Sequence, residues 1–524
     1  MDSILPTDWT GALIAGFKNT EPHKLLFGVI IAIVLIRVFG IWPQKRNKNL
    51  VRVPGYPIIG NLLLFIPGKA AFPNVTKVLA KYGSFLEMWI FNHRIIAIGD
   101  LKMIKECLAK RPKTFRRTKG IVVPGSLLGF STESGTFFAE GEAWSRQRRL
   151  TSPAFSHKNI ELMSPAIANE IDNFISRLKS LEVGEVTRMD HQTFSYTIRV
   201  IGAVAFGSYS QASSEYFFSD ALISDIHAIF EFMIERLIFP FPGWMWALSP
   251  NYYMEKAALF GDGRLNKNCL ILIEAARKSM GTFVSSDSTS RKCLVENLIS
   301  IKVGGEAPLT DNEILSNVKI FYLGGSDTTS VVMAWCIYHL CLDKVMLKRL
   351  QVEVDSILGL DMTGADAMAA ASSLPYCSAV FKEALRMKSP VEDVMISIVG
   401  DEPVTLSNGI QIFKDDDIFI HVEAVLLNNE IFPNADKFDP SRWLVSEQDP
   451  VKLLEMENAF VTFGYGPRVC PGQALAFAEG ISGLAAIIRN FNFELACPVS
   501  EIKRVCDFVT KINKLPVILE RRTK

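Results

Sequence analysis

The sequence predicts a mainly α-helical domain with a small β part, one body behind an N-terminal membrane-spanning helix. Three observations point there. One apolar run of bilayer length lies near the start, long segments beyond it carry helical periodicity, and short β-branched stretches are sparse. With 524 residues, 49% of them hydrophobic, the chain has ample material for a large core.

The apolar run covers residues 25–42, interrupted only by Arg37 and closed by Pro43. As a helix it would span ~27 Å, close to the hydrocarbon thickness of a bilayer. A buried helix or a cleaved signal peptide is the alternative. Lys45, Arg46, Lys48 and Arg52 follow at once, a basic flank of the kind retained on the cytosolic side. The expected division is therefore a lumenal segment 1–24, a signal anchor 25–42, a basic and proline-rich hinge 43–63 and a catalytic domain 64–524 facing the cytosol. A cytosolic body would leave the acceptor pattern Asn74-Val-Thr76 unmodified.

Within the body, Ile95–Ile98 and Gly409–Ile412 read as strands of a minor sheet. The clearest helix begins after Pro308, where Thr310 and Glu313 have capping-box spacing, and runs to Val331 or beyond. Its apolar residues lie on more than one face, which places it at the centre of the domain. Phe230, Phe232, Phe239, Phe241, Trp244 and Trp246 read either as a loop tucked on the core or as an amphipathic lip that dips into a membrane.

Lys plus Arg total 56 against 55 Asp plus Glu, a formal charge of +1 that provides no overall field for nucleic acid. The nine cysteines are widely spaced without a C-x-x-C pair, so neither a disulfide framework nor structural zinc is expected. Cys470 stands apart. Residues 463–472 read Phe-Gly-Tyr-Gly-Pro-Arg-Val-Cys-Pro-Gly, and a helical stretch begins at Gln473. A tight loop that delivers a cysteine to a helix N-terminus stabilises a thiolate, suited to be an axial ligand of haem. Gly466 and Gly472 can take backbone shapes denied to other residues and let a flat cofactor approach closely.

Phe463-x-x-Gly466-x-Arg468-x-Cys470-x-Gly472 resembles the haem-binding signature of the cytochrome P450 family, in its eukaryotic microsomal type, at every fixed position. Three further motifs follow the same pattern. Glu383-Ala-Leu-Arg386 shares one helical face, and the resemblance joins it to Arg442 of Phe438-Asp-Pro440-Ser-Arg442 as a buried charged triad. Trp144 and Arg148, with Arg468, would meet the haem propionates. Gly324-Gly325-Ser326-Asp327-Thr328-Thr329 resembles the oxygen-activation motif, with Asp327 and Thr328 as the proton-relaying pair and small residues at 324 and 325 letting the helix pass close over the porphyrin. Where many relatives carry a further basic propionate contact, this chain has Ile396 and Ser397.

The resemblance implies haem b with Cys470 as iron ligand, Phe463 and Gly472 among the residues that bind the cofactor, and dioxygen as co-substrate. It implies a monooxygenase that hydroxylates or epoxidises a lipophilic molecule at the endoplasmic reticulum membrane. Electrons would come from NADPH through a diflavin reductase, with cytochrome b5 a second candidate donor, since the chain shows no flavin fingerprint or iron–sulfur cluster. Basic residues between Lys110 and Lys119, with Arg146 and Arg149, are candidates for the docking face. Substrate contacts are expected at Val122, Leu128, Phe321, Leu323, Val391 and Phe508, and a monomer is expected. The alternative activity is a haem-thiolate isomerase or dehydratase acting on lipid hydroperoxides without a reductase; it usually lacks the acid–alcohol pair that Asp327 and Thr328 supply.

Overall fold

The computed structural model describes residues 50–56, 59–64, 71–90, 93–207, 209, 214–217, 219, 220–238, 247, 252–282, 293–300, 305–445, 448–506 and 509–523. The expected anchor at 25–42, Phe508 and four of the six aromatics in the 230–246 segment (Phe239, Phe241, Trp244 and Trp246) lie outside these residues, while Phe230 and Phe232 are buried. Among the described residues no single helix is long and apolar enough to cross a membrane; one bent pair, Asp311–Leu342 and Lys344–Ile357, meets at 115° and passes by length and composition. That pair belongs to the core.

The central helix, Asp311–Leu342, is the organising element. Thr310 accepts from the Glu313 amide at 3.3 Å while the Thr310 amide donates to the Glu313 carboxylate at 2.8 Å, so both ends of the capping box close. Apolar residues on nearly every side, among them Val318, Tyr322, Val332, Met333 and Ile337, are fully buried. The helix Met189–Phe206 packs closely along it. At Gly325 an added Cβ would meet the Ile201 side chain at 3.0 Å, so this glycine serves helix–helix contact and not the cofactor approach expected from sequence.

A six-stranded mixed sheet lies to one side, ordered Val51–Arg52, Phe85–Ile90, His93–Ile98, Asp417–His421, Asp393–Ile398 and Phe115–Arg117. Of the two expected strands, 95–98 extends to His93, whereas 409–412 contributes only Gln411–Ile412, because the Gly409 amide bonds to the Leu406 carbonyl in a turn. The expected hinge is docked from Val51 onward. The Val53 amide donates to the Glu87 carbonyl at 2.9 Å, and Gly60, at φ 60°, lies where any Cβ would strike the Trp89 carbonyl. Residues 51–56 and 59–61 are thus an edge of the body, held by backbone pairing that prolines and glycines alone do not announce.

Thr76 sits in the helix Ala71–Tyr82 and its hydroxyl bonds to His421 Nε2 at 2.7 Å and to the Glu423 carboxylate. The hydroxyl of the acceptor pattern is therefore engaged in the fold.

Candidate functional site

The cysteine loop forms where Gly464 and Gly466 take positive φ, 82° and 72°, and reverse the chain ahead of the helix Gln473–Asn490. The Cys470 amide donates to the Phe463 carbonyl at 2.9 Å, which closes the loop on the first residue of the motif. Gly466 also has a tight neighbour: a Cβ there would lie 2.9 Å from Ala109 Cα and 3.0 Å from the Leu108 carbonyl. Gly466 thus fits the loop against the helix Leu101–Ala109, where sequence reasoning had assigned it to close cofactor approach. Gly466→Ala is expected to cost about 1–3 kcal/mol from strain and overpacking together, read as a lowered denaturation midpoint. Gly472, at φ −83°, needs no special backbone shape, and its open side faces Cys470 Sγ at 3.9 Å.

Protein encloses Cys470 closely enough for burial to push its thiol above the ordinary value, yet its side chain remains accessible. Those two facts together describe a thiol on the wall of a deep cleft. The Gly472 and Gln473 amides and Arg148 pull the thiol back toward ionisation. The lowered thiol expected from the loop alone is therefore outweighed by desolvation in the protein by itself.

Arg148 lies on the helix Gly141–Thr151, one turn after Trp144, and donates to the Val469 carbonyl at 2.7 Å. Arg468 stacks 4.7 Å from the buried Trp144 ring and donates to Glu140 at 2.7 Å and to the Ala139 carbonyl. Two further guanidinium groups gather here, both read from sequence as candidates for a docking face. Arg117 bonds to the Phe137 carbonyl and stacks on its ring at 3.6 Å, while its amide donates to Glu140 at 2.9 Å. Arg111 is buried, and its Nε and Nη2 find no acceptor among the described residues. Arg146 and Arg149 are likewise engaged, by Glu313 and Glu306. Burial lowers Arg111 to about 10 and Arg468 to about 9. Arg111, Arg117 and Arg468 thus share one carboxylate, Glu140, while Arg148 stands beside Cys470, and the surplus of positive charge calls for an anion.

Strand register explains why sequence reasoning missed Arg117. Arg116 pairs with Ser397 and Arg117 with Ile396, so the neighbouring strand carries the basic side chains at the level where residues 396 and 397 have none.

The central helix opens beside this region. Gly324 is exposed, with nothing within 4 Å of a built Cβ, and Thr328, one turn on, is partly exposed and donates to the Gly324 carbonyl at 2.8 Å. The rest of the polar run is turned inward. Thr197 donates to the Ser326 carbonyl at 2.6 Å, Ser326 to Tyr322 at 2.8 Å and Ser330 to the Asp327 carbonyl at 2.8 Å; the Asp327 side chain is buried. Thr329 hydrogen bonds to Glu479 of the cysteine helix, and burial pushes that carboxyl up to about 8. Sequence reading gave no signal for Glu479, whose partner lies far along the chain.

Glu383 receives two bonds from Arg386, at 2.8 and 2.9 Å, and one from Arg442 at 2.9 Å. Trp443 Nε1 at 2.9 Å and the Asp439 amide at 3.0 Å complete five donors on one buried carboxylate. Their helix, Pro375–Met387, has no side-chain cap of its own at Leu374. Glu353, on the helix Lys344–Ile357, accepts from the Tyr376 and Cys377 amides at 2.7 and 2.8 Å instead.

Of the expected substrate contacts, Leu128, Phe321 and Leu323 are buried, Val122 is half-buried in the helix Lys119–Leu127 and Val391 is exposed. Phe321 meets Phe155 edge-on at 4.8 Å.

A haem fits this donor set on three counts. Among the described residues no three His, Cys, Asp or Glu side chains cluster to hold a bare ion, so a metal at Cys470 has to bring its other ligands with it, as a porphyrin iron does. The opening at Gly324 suits a flat macrocycle, and the guanidinium surplus suits its carboxylates.

The comparisons with known proteins bear on the same residues. A sequence profile described as Cytochrome P450 matches residues 52–518. Germacrene A hydroxylase of Cichorium intybus is 24% identical over 86% of this chain and 89% of its own length, and that of Saussurea costus 25% over 89% and 92%. A bifunctional cytochrome P450/NADPH–P450 reductase of Fusarium oxysporum is 26% identical over 85% of this chain and 40% of its own.

Proposed function

The chain belongs to the cytochrome P450 family, and from that premise we propose that Cys470 is the axial ligand of haem b in a monooxygenase acting on a lipophilic substrate. Haem-dependent monooxygenation is the family's reaction, and the protein is an enzyme of that type. The single observation that carries the site assignment is the accessible Cys470 thiol in a loop pinned to the Phe463 carbonyl, beside guanidinium groups that outnumber their acids.

The haem supplies dioxygen activation and oxygen transfer. The protein's share is positional. Arg148 and the Gly472 and Gln473 amides stabilise negative charge on Cys470 Sγ. Arg468, Arg148 and Arg117, with Trp144, bind the cofactor's carboxylates, Arg117 standing in for the base missing at 396–397. Gly324 leaves room above the plane, Thr328 presents its Oγ1 hydroxyl at that opening, and Asp327 behind it passes protons to that oxygen. Glu383, Arg386 and Arg442 hold the chain that frames the cysteine loop. Val122, Leu128, Phe321, Leu323, Val391 and Phe508 contact the substrate.

The anchor at 25–42, a single pass in the endoplasmic reticulum membrane and a cytosolic catalytic body complete the reading, with segments 1–24 and 43–63 flanking the anchor. Electrons come from NADPH through a diflavin reductase, with cytochrome b5 a second donor, and the protein acts as a monomer. The germacrene A hydroxylases among its relatives make hydroxylation of germacrene A the first reaction to assay.

The test incubates haem-loaded protein with a membrane diflavin reductase, NADPH and labelled dioxygen over terpenoids, fatty acids, sterols and aromatics. One labelled oxygen atom in a product, dependent on reductase and NADPH, is the expected result. Unlabelled rearranged product from a lipid hydroperoxide, without reductase and with no labelled product elsewhere, would favour the isomerase instead.

A further inference from the structure

Glu392, Asp393 and Glu423 bring three carboxylates into one buried cluster, with side chains no more than 6% exposed. Asp393 pairs with His421, whose Nε2 bonds to the Thr76 hydroxyl at 2.7 Å. Arg504 faces the other two acids: it pairs with Glu392 and, at 2.5 Å, with Glu423. Lys388 completes the charges around them and lies over the Trp335 ring at 5.3 Å. A single guanidinium between two buried acids favours a state in which the acids share a proton. Burial, and then Glu423, push the Glu392 carboxyl up to about 7. At Glu423 burial is outweighed by Arg504, Thr76 and His421, which hold that carboxyl below its ordinary range.

The cluster ties three elements around residues 389–393. The Pro390 carbonyl accepts from the Thr510 amide at 2.8 Å and the Glu392 carbonyl from the Val422 amide at 2.7 Å. Arg504 stands on the strand Arg504–Cys506, which pairs with Thr510–Ile512, and that second strand packs on the central helix. In the other direction the chain runs through Asp393–Ile398 to Ile396, which lies opposite Arg117 of the guanidinium cluster beside Arg468. Four extended residues separate Glu392 from Ile396, about 13 Å. Between these two anchors Val391 is 39% exposed and Glu392 3%, so the chain turns the first outward and the second into the cluster.

We propose that Glu392, Glu423 and Arg504 are positioning residues for the substrate: the proton that the two acids share fixes the 389–393 wall, and its loss loosens the contact at Val391. The proposal rests on the haem reading above and on Val391 as a substrate contact. None of the three residues touches the reacting atoms. A loosened wall exposes Glu392 to water and returns it toward its ordinary value of 4.5, whereas the fixed wall keeps the proton up to about 7. The fixed state therefore loses ground as pH rises between those two values, and no further above them.

Paclobutrazol, a bulky apolar triazole that ligates haem iron and does not itself titrate in this range, is followed by difference absorption on the holoprotein, with the small 1,2,4-triazole beside it. The paclobutrazol dissociation constant should rise about fivefold from about pH 5.5 to about pH 7.5, while that of 1,2,4-triazole stays level. Glu392→Gln, which keeps the shape of the protonated acid, should bind paclobutrazol at the higher pH as tightly as the unsubstituted protein does at the lower. Glu423→Gln leaves Arg504 to one acid and should move the rise to lower pH. A level paclobutrazol profile in the unsubstituted protein, an unaltered profile in both variants, or an equal rise for 1,2,4-triazole would overturn the proposal. Amide hydrogen exchange around 389–393 and 504–506 needs no haem, and at the higher pH it should be slower in Glu392→Gln than in the unsubstituted protein. If the unsubstituted protein lacked the spectral signature of thiolate-ligated haem, the haem reading would fall; equal exchange in the two proteins would by itself sink the shared-proton junction.

Discussion

Cys470→Ser is expected to abolish monooxygenation while leaving the polypeptide folded. The substitution changes one atom on an accessible cleft wall, so the core loses no packed side chain, and the loop is held by the Cys470 amide and the Phe463 carbonyl rather than by sulfur. What is lost is the soft, readily ionised donor. A serine hydroxyl beside Arg148 and the Gly472 and Gln473 amides stays protonated at neutral pH, since those groups only partly offset burial even for the more acidic thiol. Product should fall by at least about a thousandfold, in line with other losses of an essential group, with a melting temperature of the cofactor-free protein near that of the unsubstituted chain. Retained turnover would show that Cys470 is not the ligand.

Glu383→Gln should have the larger effect on folding. The carboxylate receives five donors, two of them from Arg386, whose remaining nitrogen, Nη1, reaches the Leu426 carbonyl at 2.7 Å, while Nη2 also reaches the Lys437 carbonyl at 3.3 Å. An amide keeps the shape but offers one oxygen and no charge, so two buried guanidinium groups lose their counter-ion. Breaking a buried pair in this way costs about 3–5 kcal/mol, a large part of the ~5–15 kcal/mol that holds a typical domain together. Urea melts should show this loss, and on the haem reading the purified variant should contain little haem. A melt within 1 kcal/mol of the unsubstituted protein (about one fivefold step in the folding equilibrium) would contradict the structural role.

Much of this architecture is legible in local sequence because its code is local. The capping box of Thr310 and Glu313 and the pairing of Glu383 with Arg386 each rest on neighbours three residues apart, whose geometry a helix dictates. The loop around Cys470 is legible for the same reason. Arg442 was placed by resemblance, not by spacing, and the contact exists only after the chain has folded back. Illegible were features that depend on which remote element lies alongside. A basic run from Lys110 to Lys119 reads as solvated surface, yet strand pairing turns Arg117 toward Glu140 and folding buries Arg111. Glycines 325 and 466 look like cofactor spacers, but Ile201 and Ala109 are what approach them. Glu353 capping a distant helix and Arg504 meeting Glu392 and Glu423 have no signature in the neighbourhood of any of these residues.

The central claim, thiolate-held haem at Cys470, is tested most directly by the absorption spectrum of the reduced, carbon-monoxide-bound holoprotein beside that of Cys470→Ser. A strongly red-shifted Soret band in the unsubstituted protein, absent from the variant, is the result predicted. The same band in both proteins, or in neither with haem bound, would contradict it.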